Sequence, residues 1–68
     1  MPGRVRIGRK LKEVRISRLL TQEELAEEAG LSPSTVVNIE RDQAEPRFST
    51  IRKLAKALDV APNALLEK

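Results

Sequence analysis

Residues 22–40, QEELAEEAGLSPSTVVNIE, decide the fold of this 68-residue chain. Leu25, Ala26 and Ala29 recur at helical spacing, which predicts a helix with one apolar stripe over the first part of the stretch. Gly30 follows the last of these residues. Because glycine has no Cβ atom, it can take the left-handed backbone conformation that ends a helix. The stretch therefore begins as a helix that stops at a sharp turn.

A second helix follows this turn directly. Ser32 offers a side-chain oxygen to the free backbone N–H groups at a helix start, and Pro33 suits the first helical turn. Val36 and Ile39 lie three residues apart, so they share the inner face of the helix. The small side chain of Ala26 lets the two helices approach closely at a steep angle. Helix, glycine-containing turn and helix in this order are typical of the helix-turn-helix motif of DNA-binding proteins.

Periodic apolar residues predict three more helices outside the motif. The first spans residues 7–18, the fourth spans residues 49–58 with Ser49 as its cap, and a short fifth helix spans residues 62–67. Phe48 is the only aromatic residue and is predicted to anchor the core. The predicted fold class is all-α, with five helices in one compact domain over residues 7–68.

The composition excludes several classes of function. The chain has no cysteine and no histidine, so the commonest metal ligands and the commonest general base are missing. We therefore predict no metal, no cofactor and no enzymatic activity. With one phenylalanine and no other aromatic residue, base stacking cannot drive binding to single strands. No apolar run is long enough to span a bilayer, and the simplest interpretation is a cytoplasmic protein.

Charge is distributed unevenly along the chain. Residues 1–18 contain seven Lys or Arg and one acid, whereas residues 19–46 contain one Arg and seven acids. Residues 1–6, MPGRVR, are predicted to form a flexible basic arm that lies along phosphates or enters a minor groove, or else a frayed terminus. Basic ends suit contact with DNA phosphates, although ordinary solvated helix faces would give the same pattern.

The start of helix two favours an anion. Thr21 and Glu24 have the spacing of a capping box, which makes Gln22 the first helical residue. A side chain at that position, beside free backbone N–H groups, is well placed to meet a DNA phosphate. Glu27 and Glu28 would repel DNA, so we expect them to point away from it.

The outward face of helix three, residues 33–41, carries the candidate base-reading side chains. Asn38 can offer a bidentate amide to adenine, and Ser34 could reach a base edge or a phosphate. Val37 is apolar on a face that should be polar. It is either partly buried against a neighbour or in contact with a thymine methyl group.

The chain as a whole resembles the DNA-binding domain of the phage repressor and Cro family, also called the XRE type. The matching stretches are IGRKLKEVR, TQEELAEEAGLS, VVNIE, a proline at the end of the next loop, and TIRKLAKALDVAPNALL. The resemblance implies a compact five-helix, lambda-repressor-like domain with the helix-turn-helix at helices two and three. It also implies a transcriptional regulator that binds duplex DNA as a two-fold homodimer on a near-palindromic operator, with helix three in the major groove.

The resemblance assigns roles to individual residues. Base-facing positions correspond to Pro33, Ser34, Val37 and Asn38. Phosphate-contacting positions correspond to Thr21, Gln22, Thr35, Arg41, Arg47 and Phe48. A buried ion pair that ties helix one to helix three corresponds to Arg15 and Glu40. The dimer contact corresponds to the region of Pro62, Leu65 and Leu66, and some relatives contact RNA polymerase at the positions of Glu23 and Glu27.

Two positions depart from the family pattern, and one alternative function remains. Leu19 and Asp42 stand where glycine is common, so a slightly different backbone conformation is expected at both turns. The chain lacks the C-terminal domain of larger repressors and is interpreted as a short Cro-like regulator or a fragment. The alternative is a protein-interaction or antitoxin-type module that uses the same fold.

Overall fold

The computed structural model describes residues 6–66, which form four α-helices and one short 3₁₀ helix. The helices are α1 (Gly8–Ser17), α2 (Gln22–Ala29), α3 (Pro33–Glu40) and α4 (Phe48–Leu58), and the 3₁₀ helix is Pro62–Leu65. No strand occurs in this part of the chain. The all-α prediction is confirmed. Residues 1–5 of the predicted arm lie outside the described residues, and Arg6 is exposed.

The prediction of a fifth α-helix is wrong. Residues 62–65 form a single 3₁₀ turn that has no side-chain cap, and the backbone is extended again at Leu66. The backbone is extended at Ala61 and at Leu66, so the helical segment is limited to the four residues between them. Glu67, the predicted end of helix five, lies outside the described residues.

The core lies where the four α-helices and the 3₁₀ helix meet. Helix α2 packs against α3 and α4, α1 packs against α3, and the 3₁₀ helix covers α4 and α1. The buried apolar side chains come from every element, and those of α2 and α3 are the residues that the sequence predicted. The full set is Ile7, Leu11, Leu25, Ala26, Ala29, Val36, Ile39, Ile51, Leu54, Ala55, Leu58 and Leu65. One continuous core therefore holds α2 and α3 in a fixed relation.

Two predictions at the start of α4 are wrong. Phe48 is not a core anchor, since the residue is 65% exposed. It lies one turn before Ile51, the first core residue of α4, and lines a surface groove instead. Ser49 is not the cap, because the helix begins at Phe48. The capping residue is Arg47, with an extended backbone and a carbonyl that accepts the Ile51 N–H at 3.0 Å.

The ends of α2 are set by local chemistry, as predicted. The hydroxyl of Thr21 accepts the Glu24 N–H at 3.0 Å, and the Glu24 carboxylate accepts the Thr21 N–H at 2.8 Å. Gly30 closes the helix with a φ of 73°. Ser32 then caps α3 by accepting the Thr35 N–H at 3.3 Å. These bonds satisfy backbone groups that a helix end leaves free.

Gly8 lets α1 approach the end of α3. A Cβ atom at this position would lie 2.7 Å from the Ile39 carbonyl oxygen and 2.8 Å from that of Glu40. It would also meet a side-chain oxygen of Asp42 at 2.7 Å. Only a residue without a side chain fits between the two helices here.

Leu19 and Asp42 both have left-handed backbone conformations, with φ of 60° and 57°. This left-handed region of backbone conformation favours glycine. Leu19 is 89% exposed, so its side chain contributes little packing. Its backbone strain is therefore not repaid by contacts of its side chain.

Replacing Leu19 by glycine is expected to raise the free energy of unfolding by about 1 kcal/mol. The left-handed conformation costs a non-glycine residue about 1–2 kcal/mol, and the greater freedom of glycine in the unfolded chain cancels part of the gain. Urea denaturation followed by circular dichroism measures the change. Leu19→Ala is the matched control, because it removes the side chain and keeps the strain. Equal stabilisation by alanine would show that the side chain, not the backbone, is the cause.

None of the helices in the described part of the chain has the length and apolar character that crossing a lipid bilayer requires.

Candidate nucleic-acid interface

Helix α3 is held to the core by one face and presents the other to solvent. Val36 is fully buried and Ile39 is 2% exposed. Pro33, Ser34 and Asn38 are exposed on the opposite side, and Val37 is half-buried. Three of the four residues predicted to face bases are therefore exposed, and Val37 lies at the border between packing and surface.

The first turn of α3 carries three hydroxyl groups that contact one another. The hydroxyl of Ser32 lies 2.8 Å from that of Thr35 and 3.3 Å from that of Ser34. The cluster was not predicted from the sequence, although the capping role of Ser32 indicates where it would form. The cluster restrains the side chains of Ser34 and Thr35, two candidate DNA contacts, before any ligand arrives.

A second candidate contact, Gln22, is held by a residue of α3. The Gln22 side-chain amide donates through Nε2 to Oε1 of Glu40 at 3.0 Å, across the interface of α2 and α3. Gln22 is half-buried, and Thr21 beside it is exposed. Sequence spacing alone does not reveal a bond between residues 22 and 40.

The predicted pair of Arg15 and Glu40 is present in the structure and is bidentate. Arg15 Nε donates to Glu40 Oε2 at 2.6 Å, and a terminal nitrogen donates to Oε1 at 3.1 Å. The other terminal nitrogen donates to the carbonyl of Leu20 at 2.8 Å. The two charged side chains are 11% and 4% exposed. Such a pair fixes the end of α3 against α1 and against the turn before α2.

The remaining candidate phosphate contacts lie at the end of α3 and between α3 and the start of α4. Arg41 caps the end of α3 and is exposed. Thr35 and Arg47 line one shallow depression between α3 and the start of α4, together with Lys53. Lys53 was not predicted from the sequence as a DNA contact. The depression is also lined by Glu45, Ser49 and Thr50, so it brings three hydroxyl groups, two cations and one carboxylate to one surface.

The predicted dimer contact requires a correction at Leu65. Its side chain is fully buried in the core, so it has no surface to offer a partner. Leu66 is 39% exposed and lines an apolar groove with Phe48, Ile51 and Pro62. Of the two adjacent leucines, one faces the core and the other the groove.

The acidic residues of α2 lie on the surface. Glu23, Glu24, Glu27 and Glu28 are all exposed. Glu23 and Glu27 therefore have the accessibility that contact with another protein requires.

Two helices joined by a left-handed glycine turn, the second with one buried and one exposed polar face, define a helix-turn-helix domain. A family model described as helix-turn-helix matches residues 11–65. The chain belongs to this family, the XRE type that includes phage repressors and Cro-like regulators.

Similar proteins include repressors and control proteins. The immunity repressor protein of Bacillus phage phi105 is 42% identical over 60 residues, which make up 88% of this chain and 42% of that protein. The restriction-modification controller protein C.AhdI from Aeromonas hydrophila is 43% identical, with a TM-score of 0.86 over 90% of this chain and 92% of that chain. Several curated relatives are longer proteins, and this chain spans only 26% to 49% of their length.

Similar structures include complexes with DNA. SinR, the master regulator for biofilm formation, was solved in complex with DNA and is 35% identical to this chain. Its TM-score is 0.82, over 87% of this chain and 95% of that chain.

Proposed function

We propose that this chain is a sequence-specific regulator of transcription that binds duplex DNA with α3 in the major groove. The observation that carries the proposal is the exposed face of α3, where Ser34 and Asn38 stand free of the core. A major groove admits one α-helix, and an asparagine amide can pair with an adenine edge through two hydrogen bonds. The DNA complex of SinR, a relative with the same fold, supports this assignment.

Phosphate contacts on both sides of α3 would set its depth and direction in the groove. Thr21 and Gln22 lie at the start of α2, whose free N–H groups favour an anion. Thr35, Arg47 and Lys53 lie around the depression on the other side. At the start of α4, Phe48 contributes a backbone N–H rather than a buried ring. Contacts of this kind position the protein and carry no base sequence.

Selection of duplexes from a random-sequence pool tests the proposal. Two variants test whether Asn38 reads a base and Arg47 contacts a phosphate. Asn38→Ala is expected to weaken binding to the selected duplex by about 1–3 kcal/mol and to relax the preference at one base pair. Arg47→Ala is expected to weaken binding to all duplexes alike and to lower the slope of log affinity against log salt by about one. Fluorescence anisotropy across a salt titration measures both effects.

An affinity that stays flat across the salt titration would contradict DNA binding, because phosphate contacts release counterions. That result would favour the alternative, a protein-interaction module. A loss that depends on the duplex sequence in Asn38→Ala, together with an equal loss on all duplexes in Arg47→Ala, separates base reading from phosphate contact within one experiment.

The proposal includes a homodimer on DNA. The groove of Phe48, Ile51, Pro62 and Leu66 leaves apolar surface exposed at the edge of the domain. Pairing of two copies across this groove would bury that surface and give the two-fold symmetry that a near-palindromic operator needs. The two α3 helices should then lie about 34 Å apart, one turn of DNA.

Replacing Leu66 by glutamate is expected to prevent dimerisation, because the charge would be desolvated in the interface. Sedimentation velocity with and without the selected duplex measures the oligomeric state. Leu19→Glu is the matched control, since Leu19 is also an exposed leucine but lies outside the groove. If Leu66→Glu still forms a dimer on DNA, the groove is not the interface.

A further inference from the structure

The carboxylate of Glu40 is shared between an ion pair and a candidate DNA contact. Oε2 accepts from Arg15 Nε at 2.6 Å, and Oε1 accepts from a second nitrogen of Arg15 at 3.1 Å. The same Oε1 accepts from Gln22 Nε2 at 3.0 Å. Glu40 therefore has a fixed orientation, set by the guanidinium of Arg15, when the amide of Gln22 meets it.

We propose that Glu40 is a positioning residue for DNA binding, which orients the amide of Gln22 so that its second N–H meets a DNA phosphate. This inference rests on the proposed function and names a residue that contacts no DNA itself. It assigns to the ion pair a role in binding as well as in stability.

The chemistry of the amide explains why a carboxylate is needed. The terminal torsion of glutamine is broad and roughly two-fold, so an unrestrained amide presents either its oxygen or its nitrogen. An ionised carboxylate only accepts hydrogen bonds, so it holds the nitrogen of Gln22 and turns the oxygen away. Nε2 carries two N–H groups, and one remains after the bond to Glu40. A flipped amide would instead direct its oxygen, an acceptor, at the phosphate.

Burial explains how an acid can serve this purpose beside DNA. The side chain of Glu40 is 4% exposed, and the guanidinium of Arg15 neutralises it at contact distance. The repulsion between the Glu40 carboxylate and a DNA phosphate is therefore small. Glu40 orients the amide of Gln22, and the amide itself is neutral. Arg15 also holds the Leu20 carbonyl at 2.8 Å, which fixes the chain two residues before Gln22.

The side-chain amide resonances of Gln22 test the orientation without DNA. The chain contains two glutamines, and the other, Gln43, is exposed. In ¹⁵N-correlated NMR spectra, we expect the Gln22 amide protons to differ from those of Gln43 and to move toward them in Glu40→Gln. The amide that this substitution introduces is assigned by comparison with the double variant Gln22→Ala/Glu40→Gln. If Glu40→Gln does not fold, the spectrum of the unaltered protein provides the test. Amide-proton shifts of Gln22 that equal those of Gln43 would overturn the proposal.

A double-mutant cycle tests the consequence for DNA affinity. The probe is the labelled duplex that the unaltered protein selects from a random-sequence pool, and circular dichroism verifies that each variant is folded. We expect Gln22→Ala to weaken binding about tenfold in the unaltered background, as loss of a hydrogen bond to a charged group does. In the Glu40→Gln background, we expect the same change to cost less than about twofold, because the contact is already lost. Equal losses in the two backgrounds would overturn the positioning role.

A charge-matched control separates orientation from electrostatics. Glu28→Gln removes one negative charge from an exposed position of α2. In this background, Gln22→Ala should keep its full effect of about tenfold. If Glu28→Gln suppresses the effect as Glu40→Gln does, charge rather than orientation is responsible, and the inference fails. Failure of the proposed function is a different outcome, in which no duplex is selected or affinity does not depend on salt.

Discussion

Replacing Glu40 by alanine is expected to lower the free energy of unfolding by about 3–5 kcal/mol, a typical cost of breaking a buried ion pair. Truncation leaves the guanidinium of Arg15 without its carboxylate, on a side chain that is 11% exposed. It also removes the acceptor of Gln22. A domain of this size typically has roughly 3–10 kcal/mol of stability in total, so the variant should be largely unfolded near its former melting temperature. Urea denaturation of the two proteins measures the difference.

The double variant Arg15→Met/Glu40→Leu separates the cost of breaking the pair from its net contribution. Replacing both charges by apolar side chains removes the buried, unpaired charge, so this variant should be more stable than Glu40→Ala. Glu28→Ala is the control, because an exposed acid on the same protein should change stability by less than about 0.5 kcal/mol. If Glu40→Ala melts with the unaltered protein, the pair makes no contribution and the argument from burial is wrong.

The parts of the fold that the sequence predicted well are those decided by neighbours in the chain. The capping box of Thr21 and Glu24, the turn at Gly30 and the cap at Ser32 each depend on residues no more than four positions apart. Their chemistry can be read directly, and the ends of α2 follow from it. The apolar stripes are likewise periodic within one helix, so the buried set was largely predictable.

The parts that escaped prediction depend on where one element ends relative to another. Hydrophobicity alone placed Phe48 in the core, whereas its burial depends on which element covers the start of α4. The same reasoning could not tell Leu65 from Leu66, since that choice follows from the phase of a short 3₁₀ turn. The bond between Gln22 and Glu40 joins residues 18 positions apart and arises only when α2 and α3 have docked.

Family resemblance reached one such contact that spacing could not. It assigned Arg15 and Glu40 to a buried pair, and the structure contains that pair. It did not extend to Gln22, which it assigned to a phosphate alone. The network of three side chains therefore became visible only in the structure, and it connects stability with the candidate interface.

Gly8→Ala is expected to destabilise the domain by about 2 kcal/mol or more. The sequence alone does not predict this effect, because it depends on the contact between α1 and α3. Alanine is the better helix former, and it reduces the freedom of the unfolded chain, which together favour the substitution by about 1 kcal/mol. The new methyl group would lie 2.7 and 2.8 Å from two backbone carbonyl oxygens at the end of α3. Backbone atoms cannot move aside as a flexible side chain can, so overpacking should exceed the gain in propensity.

The expected relief of this clash is a small separation of α1 from α3. Arg15 lies on α1 and Glu40 on α3, so the movement would also lengthen the 2.6 Å contact between them. Gly8→Ala should therefore lose stability through two coupled causes. Combined with Glu40→Ala, it should cost less than the sum of the two single losses, because contacting groups are not additive.

Gly30→Ala provides the comparison that identifies the cause. No atom lies within 4 Å of a Cβ placed at Gly30, but its φ is 73°, so alanine there is strained by its own backbone. We expect a loss of about 1 kcal/mol at Gly30, from conformation alone. Thermal and urea denaturation of both variants, with and without Glu40→Ala, should show coupling for Gly8 and additivity for Gly30. A Gly8→Ala protein that is as stable as the unaltered one would mean that α1 can move away from α3 without cost, which contradicts the close crossing seen in the structure.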